Sequence, residues 1–256
     1  MSQTVPVSVV VPCYRCSLTL ERAVESVAAQ SSLPAELILV DDFSNDETVK
    51  LLEALAARHA PGWIRIRCLD KNVGAGSARN VGWEAATQPF VAFLDAYMRA
   101  HPEVAVSGHH HRFLRQNTAP NWKLAEAGAK IMTKWPMLLS NQFVTPSVMI
   151  RRDVPHRFVE NQRHMEDHML WLQVLFSGGG VVKIGAKLAA IYKEPFGARG
   201  LSAQMWLMER GELGNYRRLF KTGFIKIHEF AALCVYSFLK FARRLVIYGG
   251  YLRWKK

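Results

Sequence analysis

The sequence has few cysteines and lacks an apolar run long enough to cross a membrane. Four cysteines in 256 residues do not make the disulfide framework of a small secreted domain. Phe230 to Leu239 contains no charge, but a spanning helix needs about 20 apolar residues and Lys240 interrupts this run. The opening Met-Ser-Gln-Thr-Val-Pro has no basic region and no apolar core. We therefore expect no secretory signal and a cytoplasmic chain with reduced thiols.

Acidic residues are also scarce, since 33 Lys and Arg face 21 Asp and Glu and give a net charge of +12. Such an excess favours a negative partner, which could be nucleic acid, anionic lipid or a phosphate-bearing substrate. After Tyr216 ten Lys and Arg stand against Glu229 alone, and large aliphatic and aromatic residues are mixed with them. This mixture favours a membrane surface over nucleic acid. An amphipathic helix packed on the protein core is the alternative.

Hydrophobic periodicity predicts alternating strands and helices in the first 96 residues. The predicted strands are Val7 to Val11, Glu36 to Asp42, Ile64 to Cys68 and Phe90 to Tyr97. The alternation predicts an α/β fold with a doubly wound, mainly parallel sheet. Ligands bind at the carboxyl edge of such sheets. The strand ends there converge on Pro12, Asp42, Asn72 and Asp95.

The second half is less regular and ends in a basic segment. Its predicted elements are strands at Val104 to Ser107, Phe143 to Arg151 and Val181 to Ile184 and a helix at Glu166 to Phe176. We divide the chain into a domain of residues 1–215, with halves 1–96 and 97–215, and an amphipathic helical segment of residues 216–256. In that segment Lys240, Arg243 and Arg244 have helical spacing, which predicts one shared basic face.

Three sequence blocks resemble the N-terminal half of the family 2 glycosyltransferases, which use nucleotide-sugar donors on the GT-A fold. The blocks are Val40 to Thr48, Asn72 to Asn80 and Phe93 to Asp95, and Val9 to Tyr14 fits the family's first strand. The resemblance predicts a GT-A-like sheet followed by C-terminal amphipathic helices. It also implies a nucleotide-sugar donor and a glycan or lipid-linked acceptor.

The resemblance assigns donor-binding roles to residues at the strand ends. Asp42 would accept a hydrogen bond from the base of the donor, although a charge at a helix N-terminus is the simpler alternative. Pro12 and Tyr14 would shape the base and ribose pocket, or serve packing alone. Arg79 would reach the nucleotide or brace the carboxylates. Asn72 and Gly74 belong to the same site, whose glycine pattern lacks the third glycine of a dinucleotide fingerprint.

Met165 to Leu172 resembles the Glu-Asp motif of the same family. In inverting members that aspartate is the general base, so the resemblance implies that Asp167 takes the proton from the acceptor hydroxyl. Glu166 would orient it. The alternative is that both acids stabilise the first turn of a helix through its dipole. With one base and no covalent nucleophile, we expect transfer with inversion.

The metal motif of the family is incomplete. The fourth strand normally continues as Asp-x-Asp, which holds Mn²⁺ or Mg²⁺ against the leaving diphosphate. Here Asp95 is followed by Ala96 and Tyr97, and the next residues resemble the end of the helix that usually follows the motif. We infer a deletion after Ala96 that removes the metal loop. Asp95 remains the candidate metal ligand, with a histidine between 109 and 111 as a possible partner.

The incomplete motif leaves two functions open. One is a transferase that acts in surface polysaccharide or lipopolysaccharide assembly, peripheral to the inner face of the cell membrane. The other is a catalytically impaired remnant that still binds nucleotide weakly through Asp42 and Arg79. Cys13 and Cys16 belong to neither reading. Their C-x-x-C spacing suits a redox pair or half a zinc site, or simply small residues after a strand.

Overall fold

The computed structural model describes residues 3–92, 104–113, 128–191 and 204–254. The strands are β1 Gln3–Cys13, β2 Ser32–Asp41, β3 Ile64–Cys68, β4 Phe90–Ala92, β5 Val104–Phe113, β6 Ala129–Ile131, β7 Val148–Arg151 and β8 Gly180–Ile191. The helices are α1 Ser17–Ala28, α2 Thr48–Arg58, α3 Ala75–Ala85, α4 Lys134–Leu139, α5 Glu166–Phe176, α6 Met205–Lys221 and α7 Ile227–Trp254. The predicted positions of the elements in the first half are confirmed.

These strands form one mixed sheet in the order β3-β2-β1-β4-β7-β5-β8-β6. The pairs β1–β2, β2–β3, β1–β4 and β5–β8 are parallel, whereas β7 is antiparallel to both of its neighbours and β6 is antiparallel to β8. The predicted α/β fold with a mainly parallel sheet is therefore confirmed. The antiparallel strands lie in the less regular second half.

The centre of the sheet is buried on both faces. Leu37 to Val40 of β2 have no solvent exposure, because α1 and α2 cover one face and α3 covers the other. A strand without a wet side needs a continuous apolar run rather than alternation, which is what β2 has. On the α3 side, a Cβ at Gly82 would come within 2.3 Å of Val10 Cγ1, so glycine allows the helix to lie close to the sheet.

Several local predictions are wrong in their details. The capping box expected at Ser44 to Glu47 does not form, because Glu47 makes no side-chain cap and the Ser44 hydroxyl donates to Asp41 instead. The strand expected from Phe143 begins only at Val148, after a 3₁₀ turn at Thr145–Ser147. Phe93 to Tyr97, including Asp95 and the inferred deletion point, lie outside the described residues.

The C-terminal helices are joined to the main domain more closely than expected. The predicted boundary at residue 215 falls inside α6, where Asn215 and Tyr216 are fully buried. The Tyr216 hydroxyl donates to the Leu138 carbonyl oxygen at 2.7 Å. No helix in the described ranges combines the length and apolar character that crossing a bilayer requires.

The predicted basic face of α7 is wrong. Lys240 and Arg244 turn inward and pair with the buried carboxylates of Glu212 and Glu209, the latter at 2.9 Å. These two glutamates attract the cations into the α6–α7 contact, and Arg243 alone of the three stays exposed. The outward surface of α7 is therefore apolar. Its exposed side chains include Val235, Phe238, Leu239, Leu245 and Val246.

Candidate active site

Asp42 organises the turn that follows β3. Its carboxylate accepts hydrogen bonds from the Asn72 side chain at 3.0 Å and from the backbone N–H groups of Val73 and Gly74 at 2.7 and 2.9 Å. Gly74 has φ +85°, a left-handed value that favours glycine, and it stands directly before α3. Asp42 is only 2% exposed. Its first structural role is therefore to fix this turn, which the sequence did not predict.

A second turn lies beside it at the end of β2. Asp41 accepts hydrogen bonds from the Ser44 hydroxyl and from the Ser44 backbone N–H, the latter at 3.2 Å. Ser44 in turn receives the Arg15 backbone N–H on its hydroxyl at 3.1 Å and the Arg15 Nε on its carbonyl oxygen at 3.3 Å. Asp41 thus ties the segment after β1 to the segment after β2.

Pro12 and Tyr14 lie on that first segment. Pro12 is half-buried, and Tyr14 is 47% exposed with the Arg15 guanidinium 5.3 Å from its ring centroid. An exposed aromatic ring on a braced turn offers a flat surface to a nucleotide base. The position suits the donor-binding role predicted for both residues, which remains a prediction.

Arg79 and Glu166 connect α3 to α5. Arg79 Nη1 lies 3.2 Å from Glu166 Oε1, and the guanidinium lies 5.2 Å from the ring centroid of Phe158. Burial raises the pKa of Glu166, the charge of Asp167 raises it further, and Arg79 opposes both. Of the two roles predicted for Arg79, the structure shows the bracing of a carboxylate.

Asp167 is half-buried in the first turn of α5, and both of its oxygens are held. Thr145 Oγ1 donates to Oδ2 at 3.1 Å and the His168 backbone N–H donates to Oδ1 at 2.7 Å. Hydrogen bonds to the charged form keep a carboxylate ready to accept a proton. The neighbouring His168 side chain is fully buried and its Nε2 lies 2.7 Å from the Met137 carbonyl oxygen. Burial lowers the pKa of His168, so this imidazole is neutral.

The two halves of the site meet where the N-terminus of α3 approaches the N-terminus of α5. Arg163 Nη2 donates to the Asn72 side-chain oxygen at 2.8 Å. A Cβ at Gly76 would come within 3.1 Å of Glu166 Cγ, so the glycine permits the approach. The turn held by Asp42 and the acidic pair of α5 therefore form one continuous polar region at the carboxyl edge of the sheet.

A metal site is not assembled by the residues that the structure describes. Within the described ranges, no three His, Cys, Asp or Glu side chains are grouped so that they could hold a metal ion. His109 is buried, and its Nδ1 lies 3.0 Å from the His110 carbonyl oxygen. Burial and then the charge of Lys183 lower the pKa of His111. The role predicted for Asp95 lies outside the described residues.

Sequence reasoning missed three residues that hold this site together. Arg163 reaches Asn72 from 91 positions away, and Thr145 reaches Asp167 from 22 positions away. No spacing in the sequence signals either contact. Asp41 had a detectable signal, because neighbouring strand residues point to opposite faces and Asp41 and Asp42 therefore had to act on different neighbours.

Comparison with known proteins assigns the fold and the family. Residues 8–108 match the sequence profile described as glycosyl transferase family 2. The succinoglycan biosynthesis protein ExoO of Rhizobium meliloti is 27% identical over 205 residues, which are 68% of this chain and 56% of ExoO. The amylovoran biosynthesis glycosyltransferase AmsE of Erwinia amylovora is 28% identical over 236 residues, which are 81% of this chain and 83% of AmsE.

Solved structures with low sequence identity share the architecture. The mannosyltransferase PcManGT of Pyrobaculum calidifontis, solved with GDP-Man and Mn²⁺, superposes with a TM-score of 0.60 at 15% identity, over 84% of this chain and 64% of that protein. TarS 1-349 of S. aureus, solved with UDP-GlcNAc, gives 0.58 at 18% identity over 92% of this chain and 80% of that one. The chain thus has the GT-A fold and belongs, through the domain matched at residues 8–108, to glycosyl transferase family 2.

Proposed function

We propose that this protein transfers a sugar from a nucleotide-sugar donor to a hydroxyl of a glycan or lipid-linked acceptor. The observation that carries the proposal is the 3.2 Å contact between Arg79 and Glu166. It holds the acidic pair of α5 beside the turn that Asp42 organises, so a proton acceptor lies next to the candidate donor site. The biosynthetic names of ExoO and AmsE support an acceptor in polysaccharide assembly.

In the proposed reaction Asp167 is the general base. It takes the proton from the acceptor hydroxyl as that oxygen attacks the anomeric carbon, and the nucleoside diphosphate leaves from the opposite side. Thr145 and the His168 N–H orient the two carboxylate oxygens for this transfer. Glu166 contributes its position beside Arg79. A single base without a covalent nucleophile corresponds to inversion.

Donor binding is proposed to involve Tyr14 and the turns after β2 and β3. Asp42 fixes the Asn72 to Gly74 turn, and Asp41 fixes the turn that carries Ser44. Rigid turns at the carboxyl edge of an α/β sheet are where nucleotides bind. The described residues do not form a metal site, so no step of this mechanism uses a metal.

The decisive experiment titrates UDP, GDP and dTDP by calorimetry with and without Mn²⁺, followed by a turnover assay with the matching nucleotide-sugars. Asp42→Asn should weaken nucleotide binding, because an amide cannot accept at both oxygens, while Asp70→Asn on the exposed neighbouring loop should not. Asp167→Asn should keep binding and lose turnover.

Weak binding without turnover by the unmodified protein would instead favour the impaired remnant. Binding that increases with Mn²⁺ would indicate metal ligands from the segment that carries Asp95. Failure of all three nucleotides to bind would overturn the proposal in both forms.

We also propose that the protein works at the inner face of the cell membrane and that α7 touches anionic lipid. Val235, Leu239 and Val246 are 61%, 66% and 76% exposed on this helix. Exposed cations lie close to it in the sequence at Arg217, Arg218, Lys221 and Lys226. Apolar side chains flanked by cations suit the surface of an anionic bilayer.

A point substitution tests this contact better than truncation, because removing α7 would uncover the carboxylates of Glu209 and Glu212. Leu239→Glu should weaken binding to phosphatidylserine vesicles, whereas Ala57→Glu on the exposed side of α2 makes the same change of charge elsewhere. Equal vesicle binding by both variants would contradict the membrane proposal, as would a preference for nucleic acid over vesicles.

A further inference from the structure

Two cysteines that the proposed reaction does not use lie together at the carboxyl end of β1. Cys13 is the last residue of β1 and is fully buried, whereas Cys16 is half-buried and directly precedes α1. Both are free thiols, and their side chains are hydrogen-bonded to each other. Between them Arg15 has φ +47°, a left-handed value uncommon outside glycine, which helps the chain to reverse.

We propose that Cys13 and Cys16 form a redox-active dithiol site, which a small disulfide such as oxidised glutathione converts to an intramolecular disulfide. The two positions differ as such a site requires. The hydrogen bond from Cys13 lowers the pKa of Cys16, which also lies at the N-terminus of α1. The same hydrogen bond and burial raise the pKa of Cys13.

These differences assign an order to the exchange. The Cys16 thiolate attacks one sulfur of the external disulfide, forming a mixed disulfide and releasing one thiolate. The Cys13 sulfur, on losing its proton, then attacks the Cys16 sulfur and releases the second thiolate. The protons from the two cysteines end on the two released thiols. The protein loses two electrons, and the external disulfide is reduced.

Cys68 is not an alternative partner for Cys13. Cys13 pairs with Asp41 on β2, and Asp41 pairs with Cys68 on β3, so the two cysteines are separated by a whole strand. Two strand spacings are roughly 9.6 Å. A disulfide needs Cα atoms within about 7 Å of each other. Cys68 is exposed, and it therefore serves as an internal reference for non-specific reaction.

Oxidation of this site would act on the donor pocket. The segment that the disulfide would close contains Tyr14 and Arg15, and Arg15 makes two hydrogen bonds to Ser44. Drawing the two sulfurs to about 2.05 Å must move this short segment. We expect weaker nucleotide binding by the oxidised protein. This link rests on the proposed function, whereas the disulfide itself does not.

The test incubates the full chain in glutathione buffers of increasing oxidised fraction, blocks remaining thiols by alkylation and identifies the peptides by mass spectrometry. The expected product is a Cys13–Cys16 peptide lighter by two hydrogens and lacking alkylation at both sites, while Cys68 carries glutathione or alkyl label. In Cys13→Ser, glutathione should remain on Cys16. A lasting glutathione adduct on Cys16 of the unmodified protein, or full alkylation of both residues in the most oxidising buffer, would overturn the proposal.

Nucleotide titration of the reduced and the bridged protein tests the second part. A lower affinity in the bridged form supports the coupling, and equal affinities overturn it. Absence of binding in both forms contradicts the proposed function instead, and the bridged peptide is detected by mass independently of that result.

Discussion

Arg79 and Glu166 lie 87 positions apart in the sequence, and their side chains meet at 3.2 Å between α3 and α5. Both side chains are largely buried, at 15% and 10% exposure. The pair joins the half of the domain that resembles a donor-binding unit to the half that carries Asp167. The geometry of the site therefore depends on an ion pair with little access to water.

Removing the cation of this pair should destabilise the protein. Arg79→Met leaves Glu166 buried without its counter-charge, a change that costs about 3–5 kcal/mol for a well-buried pair. Because the folded-state pKa of Glu166 is already raised, its contribution to stability is lost as pH rises, and Arg79→Met should steepen that loss. Urea unfolding at pH 5 and pH 8 measures it. Arg58→Met removes an exposed pair with Glu21 and should change little, and an equal effect would contradict the prediction.

Thr145 should set the pH range of the proposed reaction. Thr145→Val keeps the shape of the side chain and removes the donor to Asp167 Oδ2, so the charged carboxylate loses support. The acidic limb of the kcat/KM profile should move to higher pH. Thr145→Ser keeps the hydroxyl and should restore the original limb. A uniform fall in rate, with the same profile in all three proteins, would mean that Thr145 has only a packing role.

Glu36 should make the fold sensitive to acid. Burial alone would raise its pKa, but hydrogen bonds from Ser8 and Thr87 and the Arg65 guanidinium outweigh burial and lower the pKa to about 2. A carboxylate with a lowered folded-state pKa stabilises the fold above its unfolded pKa of about 4.3, and this stability is lost as pH falls towards 2.

Glu36→Gln tests this expectation. It should lower the free energy of unfolding at pH 7 by on the order of 3 kcal/mol and flatten the dependence between about pH 4.5 and pH 2. Glu21→Gln, at an exposed ion pair, is the matched control. An unchanged acid dependence in Glu36→Gln would show that other carboxylates control acid unfolding.

Adjacent arginines on α7 should behave differently. Arg244→Leu leaves the carboxylate of Glu209, which has no exposure, without its cation and with Ser237 as its remaining donor in the described part of the chain. We expect a loss of several kcal/mol in the free energy of unfolding. Arg243→Leu, at an exposed position, should stay within about 0.5 kcal/mol. Similar stabilities for the two variants would contradict the inward orientation of Arg244.

The sequence by itself determined the elements of the first half and the edge of the sheet where the site lies. Leu37 to Val40 form a continuous apolar run because both faces of β2 are covered, and this signal is local. Asp42 and Asn72 follow the ends of their strands, and parallel strands place such residues at one edge. The family blocks added a candidate base, Asp167, at the start of a helix whose bounds the sequence predicted.

Only the tertiary structure decided which side chains hold one another. Arg163 with Asn72, and Thr145 with Asp167, are pairs formed by chain segments far apart in sequence, and a period of 2 or 3.6 residues carries no information about them. Helical spacing placed Lys240 and Arg244 on one face, but it could not say which way that face points. The buried carboxylates of Glu209 and Glu212 decided it, because an uncompensated charge in the α6–α7 contact costs more free energy than bringing the two cations inward.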